Sequence, residues 1–324
     1  MDSSPSARLT RALNSLEGLS VGDAFGEQFF AMNLLRFMDN KAAHLLNYNE
    51  EAFNETILKC VRARQLPIAL DWEWTDDTAL ALEVVAELRE HEEIRPDSLA
   101  RRFSSRYTRD PARGYGFAMY SLLPRLENED WREAAPSLFN GQGSYGNGSA
   151  MRVPPLGAYF ADDFDLLVEQ ARLSAIVTHS HEEAIAGAIA TAIAAAIAVR
   201  LRDESAELTL TDYLNEIIAH TPASEVKNRL IQCRDFPTDY TSEQVASLVG
   251  SGSDVTCQDT VPFCCWCAAH PASADFSEAM WLTVAGLGDR DTTCAIVGGI
   301  VGARVGKREI PAEWRARREP LTEY

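Results

Sequence analysis

The sequence predicts an all-α fold. Apolar residues recur at helical spacing in one segment after another, no run of alternating β-branched residues reads as a strand, and the connecting stretches are rich in Gly, Pro and Ser. The spacing predicts helices over 8–21, 78–91, 166–177, 182–202, 213–219, 242–249, 275–284 and 293–305. The first places apolar residues at helical spacing from Arg8 to Val21. The second reads TALALEVVAELREH, an apolar stripe interleaved with Glu and Arg, and Thr75 or the Asp76-Asp77 pair can cap its first turn. The fourth contains an Ala-rich uncharged run, 184–199, which falls short of the roughly 18 residues needed to cross a bilayer. It is expected to be buried on most sides of a soluble protein. Segments 139–155 and 250–262 read as Gly-, Pro- and Ser-rich loops, and the charged segment 307–324, with Pro311 and Pro320, as a peripheral tail. No internal repeat or linker divides the chain, so one domain spans 1–324 with its core at about 10–306.

Composition narrows the function. A chain of 324 residues, 46% hydrophobic, can bury a large core. Its formal net charge of −18 opposes a broad nucleic-acid surface and an anionic membrane surface. It leaves room for an anionic small ligand, because bound cations reverse the local sign in a cleft. The N-terminus is polar, without an apolar signal-peptide core, and seven cysteines in no regular framework suit reduced thiols; both point to the cytoplasm. Cys264 and Cys267 form one C-x-x-C pair with no second pair to complete a zinc site, which favours structural thiols.

Four segments carry the chemistry. Thr75-Asp76-Asp77-Thr78 opens a helix, where carboxylates are favoured by the helix dipole. Trp72 and Trp74 would wall the site, and Asp71 and Glu73 add charge that repels unless a cation is present. Gly288-Asp289-Arg290-Asp291-Thr292-Thr293 sets two carboxylates on one side of an extended turn, as a metal-ligand pair needs; an Asp-rich solvated turn is the plainer reading. Together the two clusters offer enough hard oxygen for one or two Mg²⁺ or Mn²⁺ ions. In Gly141–Arg152 the glycines let a backbone approach a ligand closely. Tyr145 is placed to stack on a base, Asn147 to hydrogen-bond and Arg152 to offset phosphate charge, or the stretch is a flexible connection. Thr178-His179-Ser180-His181 precedes the Ala-rich helix, better suited to capping it and lining a pocket than to binding zinc.

These motifs, with Gly22-Asp23-Ala24-Phe25-Gly26, resemble the ADP-ribosylglycohydrolase family in content and order from about residue 10 to about residue 306. The resemblance implies a compact orthogonal helical bundle with two Mg²⁺ or Mn²⁺ ions at the base of an ADP-ribose cleft. Thr75, Asp76 and Asp77 would bind metal from one side and Asp289, Asp291 and Thr292 from the other. Ser144, Tyr145, Gly146, Asn147, Gly148, Ser149 and Met151, with His179, would hold ADP-ribose. Asp76, Asp77, Asp291 and Glu27 are the candidates for acid–base work, and the implied reaction releases ADP-ribose from a modified macromolecule.

One position departs from the family pattern. A Glu usually stands four residues after the last Gly of the N-terminal motif, and here that residue is Phe30. Glu27 would substitute by a shift in loop path, or is an ordinary exposed loop residue. The departure keeps a second function open: an ADP-ribose-binding protein that neutralises an ADP-ribosyltransferase partner, docking through Phe29 and Phe30 if they are exposed. A third, an isoprenoid-diphosphate enzyme, is disfavoured because no third acid follows Asp76-Asp77 at Asp-Asp-x-x-Asp spacing.

Overall fold

Helix α1 (Pro5–Glu27) is the element on which the fold is organised in this computed structural model, which describes residues 1–30, 50–66 and 72–321. After it come α2 (Glu50–Arg62), α3 (Asp76–His91), α4 (Pro96–Arg109), α5 (Met119–Arg125) and the single turns α6 (Trp131–Ala134) and α7 (Leu138–Gly141). Then follow α8 (Pro154–Tyr159), α9 (Phe164–Ile176), α10 (Glu182–Glu204), α11 (Leu210–His220), α12 (Glu225–Asp235) and α13 (Ser242–Val249). The chain closes with α14 (Cys257–Ala269), α15 (Phe276–Val284), α16 (Arg290–Val305) and α17 (Ala312–Arg317). These seventeen α-helices, three 3₁₀ turns and no strand make the all-α class predicted from the sequence, among the described residues.

Helix α10 runs through the centre, packed by α8, α9, α11, α14 and α16. Its Ala-rich face lets those neighbours come close, and residues from Ala184 to Val199 are buried almost without interruption. At 23 residues it is long and apolar enough to cross a membrane, longer than the run 184–199 indicated, but 89% of its most apolar window is buried inside the fold.

The structure departs from the periodicity in two ways. Helices α2, α4 to α8, α12, α14 and α17 were not predicted. Pro124 lies inside α5 and Pro262 inside α14. Pro262 cannot donate to the carbonyl of Gln258, and that oxygen accepts a 3.0 Å bond from Arg229 instead. Thr256, in the expected loop 250–262, caps α14 by accepting from the Asp259 amide.

The segment from 307 onward is also no peripheral tail as far as it is described. Trp314 stacks on Phe25 at 4.8 Å and meets Trp72 and Trp281 edge-on. The backbone of Trp72 exchanges hydrogen bonds with Arg317 and Glu319, and Glu319 pairs with Arg113. Trp314→Ala is therefore expected to destabilise the protein by about 3–5 kcal/mol, the scale of a core tryptophan deletion, read from urea unfolding. A peripheral segment would show almost no change.

Candidate active site

Glycine spacing brings the two acidic halves together. Gly18, Gly22 and Gly26 of α1 face α16 so closely that a Cβ built on Gly22 would lie 2.1 Å from the Cys294 carbonyl oxygen, and one on Gly26 equally close to that of Arg290. At this contact Asp23 on α1 meets Asp291 in the first turn of α16. Thr75 caps α3 and sets Asp77 in its first turn beside them. One oxygen from each of Asp23, Asp77 and Asp291 lies within 4.8 Å of the others. Asp23 is fixed by four donors, the amide and hydroxyl of both Thr75 and Thr78. Asp77 Oδ2 lies 3.0 Å from the Thr75 hydroxyl and accepts from Thr292 at 3.3 Å.

The cluster has too much negative charge for its burial. Burial, and after it the neighbouring carboxylates Asp23 and Asp289, push Asp76 up to about 8. Burial raises Asp23 to about 6 against the pull of its threonine donors. Asp77 is driven well above the ordinary carboxylate range by burial and then by Asp23, Asp76 and Asp289, and Asp291 by burial and then by Asp289, Asp77 and Asp23. Asp77 Oδ1 and Asp291 Oδ1 are buried and accept no hydrogen bond. Hard oxygens without donors, held close together beneath the cleft, fit a divalent cation such as Mg²⁺ or Mn²⁺.

A cleft of about 740 Å³ opens above the cluster, and Asp76, Asp289, Asp291 and Thr292 line its floor. One wall is the glycine loop. It is pinned to the segment before α14 by bonds from the Asn147 amide to Val255 and from the Cys257 amide to Tyr145, and Asn147–Ser149 forms a 3₁₀ turn. Asn147 Nδ2 donates 2.7 Å to Asp289 and 3.1 Å to Thr260, tying that wall to the floor. Ser144, Tyr145, Gly146, Asn147, Gly148, Met151 and His179 all line the cleft. Tyr145, 36% exposed, lies 6.1 Å from Phe139 across the rim.

Several sequence-based assignments shift. Ser149 is fully buried behind the loop and donates to the Ala184 carbonyl rather than to the cleft. Arg152 is also fully buried, so it offsets no ligand phosphate there. Trp72 and Trp74 belong to the core, not to the cleft wall, and Glu73 is exposed; Asp71 lies outside the described residues. Glu27 ends α1 within electrostatic reach of Asp291 and Arg290 and is not on the cleft lining. Phe29 is buried against Phe25 and Trp281, and Phe30 is half-buried under the Arg290 guanidinium at 4.5 Å, so the docking pair imagined for a transferase is not exposed. Cys264 and Cys267 are buried thiols pushed well above their ordinary range, as structural cysteines are. His181 caps α10 by accepting from the Glu183 amide.

Asp23 was missed as a candidate ligand. Its signal was present: an acid between Gly22 and Ala24, in a helix whose glycines face a partner, has no solvent to point into. Phe117, 94% exposed at the mouth of the cleft, gave no such signal.

Comparison with known proteins agrees with this geometry. The sequence profile of the ADP-ribosylglycohydrolase family matches residues 4–323. The chain is 28% identical to ADP-ribosylhydrolase ARH3 of Xenopus tropicalis, over 97% of this chain and 92% of that protein. It is 28% identical to the Homo sapiens ARH3, over 75% and 73%. A solved structure described as an ADP-ribosylglycohydrolase-related protein complex superposes with a TM-score of 0.60 at 21% identity, over 97% of this chain and 94% of that one, which speaks for the fold. With the family profile matched over nearly its whole length, the chain belongs to the ADP-ribosylglycohydrolase family, enzymes that hydrolyse glycosidic bonds.

Proposed function

We propose that the protein is a metal-dependent ADP-ribosyl hydrolase that cleaves the N- or O-glycosidic bond joining ADP-ribose to a modified macromolecule. The observation that carries this is the convergence of Asp23, Asp77 and Asp291 beneath a cleft whose wall is a glycine loop. Asp23, Asp77 and Asp291, with Thr75 and Thr292 beside them and Asp76 and Asp289 on the floor, would hold one or two Mg²⁺ or Mn²⁺ ions. Bound there, such ions polarise ribose oxygens and lower the pKa of water.

The chain's own residues divide the remaining work. The backbone of 144–148 and the Nε2 edge of His179 bind the pyrophosphate and ribose oxygens, and the Tyr145 ring offers a face to the base. Of the four acid–base candidates, Asp76 and Asp291 line the cleft. Asp76, which lines the cleft with Asp289 and Asp291, is suited by position to holding or releasing a proton as the C1″–acceptor bond of the ribose breaks. Glycoside hydrolysis through an oxocarbenium-like transition state needs that proton at the leaving atom.

The test is release of free ADP-ribose from proteins and nucleic acids modified on serine, arginine or a base. Release is expected with Mg²⁺ or Mn²⁺ and is expected to fall to background with EDTA, returning when the metal is restored. ADP-ribose binding with no release across the panel would overturn the hydrolase reading.

A further inference from the structure

Behind the glycine wall, a chain of hydrogen bonds runs from Arg152 through Thr178 to His179, and it determines which nitrogen of the histidine carries the proton. We propose that Arg152 and Thr178 are positioning residues that hold His179 as the neutral Nε2–H tautomer, giving the cleft a fixed hydrogen-bond donor for an oxygen of ADP-ribose. The choice of ligand rests on the proposed function; the tautomer does not.

Donor counting carries the argument. Arg152 Nη2 donates 2.9 Å to Thr178 Oγ1 and 2.8 Å to the Ser174 carbonyl. A guanidinium has no acceptor, so the hydroxyl must accept there. The same hydroxyl lies 2.7 Å from His179 Nδ1. If Nδ1 were protonated, the threonine hydrogen would face two donors and no acceptor in a fully buried place, where an unmade hydrogen bond is costly. With Nδ1 unprotonated, the hydroxyl donates to it while still accepting from Arg152, and the conflict disappears. The proton then sits on Nε2.

That nitrogen faces the ligand side. A Cβ on Gly148 would lie 3.0 Å from His179 Nε2 and one on Gly146 3.3 Å, so the ring edge is held against the two glycines at the cleft wall. The imidazolium form is excluded twice over: it would place a second buried cation beside Arg152 and repeat the donor conflict at Nδ1. Burial, and after it Arg152, accordingly push His179 down to about 3. Arg152 itself is lowered by burial to about 9 and stays a cation at neutral pH, its guanidinium 4.4 Å over the Phe103 ring. His179 is thus a donor and no proton carrier, which leaves acid–base work to the carboxylates.

Two-bond ¹H–¹⁵N spectra of the histidine rings, with His179 assigned by comparison with His179→Asn, test the assignment directly. The expected pattern is protonated Nε2 and unprotonated Nδ1. Thr178→Val is expected to lose this fixed pattern and to raise the ADP-ribose Kd and the KM about ten-fold with a smaller change in kcat. Thr178→Ser, which keeps the hydroxyl, is expected to restore both. A protonated Nδ1 in the wild-type protein would overturn the proposal, as would a Thr178→Val protein with unchanged nitrogen pattern and Kd. A wild-type protein that fails to bind ADP-ribose would sink the proposed ligand, while the ring spectrum still decides the tautomer.

Discussion

Asp77→Asn is expected to lower turnover by about 10²–10³-fold or more while making the metal-free protein more stable. The first effect follows from removing an oxygen ligand and its charge from the cluster, on the scale seen when one preorganised electrostatic group is lost. The second follows from repulsion. Asp23, Asp77 and Asp291 share a space in which burial raises all three pKa values, joined for Asp77 and Asp291 by repulsion from neighbouring carboxylates, with Asp76 raised to about 8 alongside. Each such group binds a proton more readily in the folded than in the unfolded chain. The folded state therefore holds extra protons, and stability falls as pH rises from the unfolded carboxylate value near 4 through the folded values. The slope is about 1.4 kcal/mol per pH unit for each extra proton held. The EDTA-treated protein should accordingly melt lower at pH 8 than at pH 5.5, Mg²⁺ should restore more at pH 8, and Asp77→Asn should flatten both trends. Thermal melts across that range, with and without metal, check it. A metal-free protein that becomes more stable toward pH 8 would sink the account of the cluster.

What was legible in the sequence had a local cause. The α3 start was visible because a capping Thr and two acids stand next to one another, and α10 because alanine dominates a long uncharged run. Both acidic clusters and the glycine loop were found for the same reason: each is contiguous, and its chemistry shows in a few residues. The parts that were missed depend on what lies across the fold. Asp23 reads as a single acid until Gly22 and Gly26 bring α16 against it. Ser149 and Arg152 sit in a ligand-like stretch, yet a one-turn 3₁₀ helix directs them away from the cleft. Helix α4 carries five charged residues in PDSLARRFSSRYTR, which hides its apolar stripe; it is held to α3 by ion pairs of Arg102 and Arg106 with Glu87 and Glu83. Those pairs are long-range facts, and periodicity does not report them.

Gly22→Ala should unfold or severely weaken the protein, because one methyl group there has nowhere to go. Its Cβ would sit 2.1 Å from the Cys294 carbonyl oxygen and 2.8 Å from the carbonyl carbon, both main-chain atoms of α16. A side chain in the way can rotate; a helix backbone must move as a unit. Overpacking of this kind costs about 1–3 kcal/mol where neighbours relax, and more where the obstacle is backbone. The added methyl also forces Asp23 away from Asp291, so the stabilisation by added Mg²⁺ should shrink along with the basal melting temperature. Two comparisons separate this from a general effect of replacing glycine. Gly116→Ala, where an added Cβ meets nothing within 4 Å, should leave stability unchanged or slightly raised through a less flexible unfolded chain. Trimming the facing side chain in Gly22→Ala/Cys294→Ala should rescue nothing, because the collision is with the main chain of residue 294 and not with its thiol. If the double variant recovered the wild-type melting temperature, the close backbone approach of α1 and α16 would not be what brings the two halves of the acidic site together.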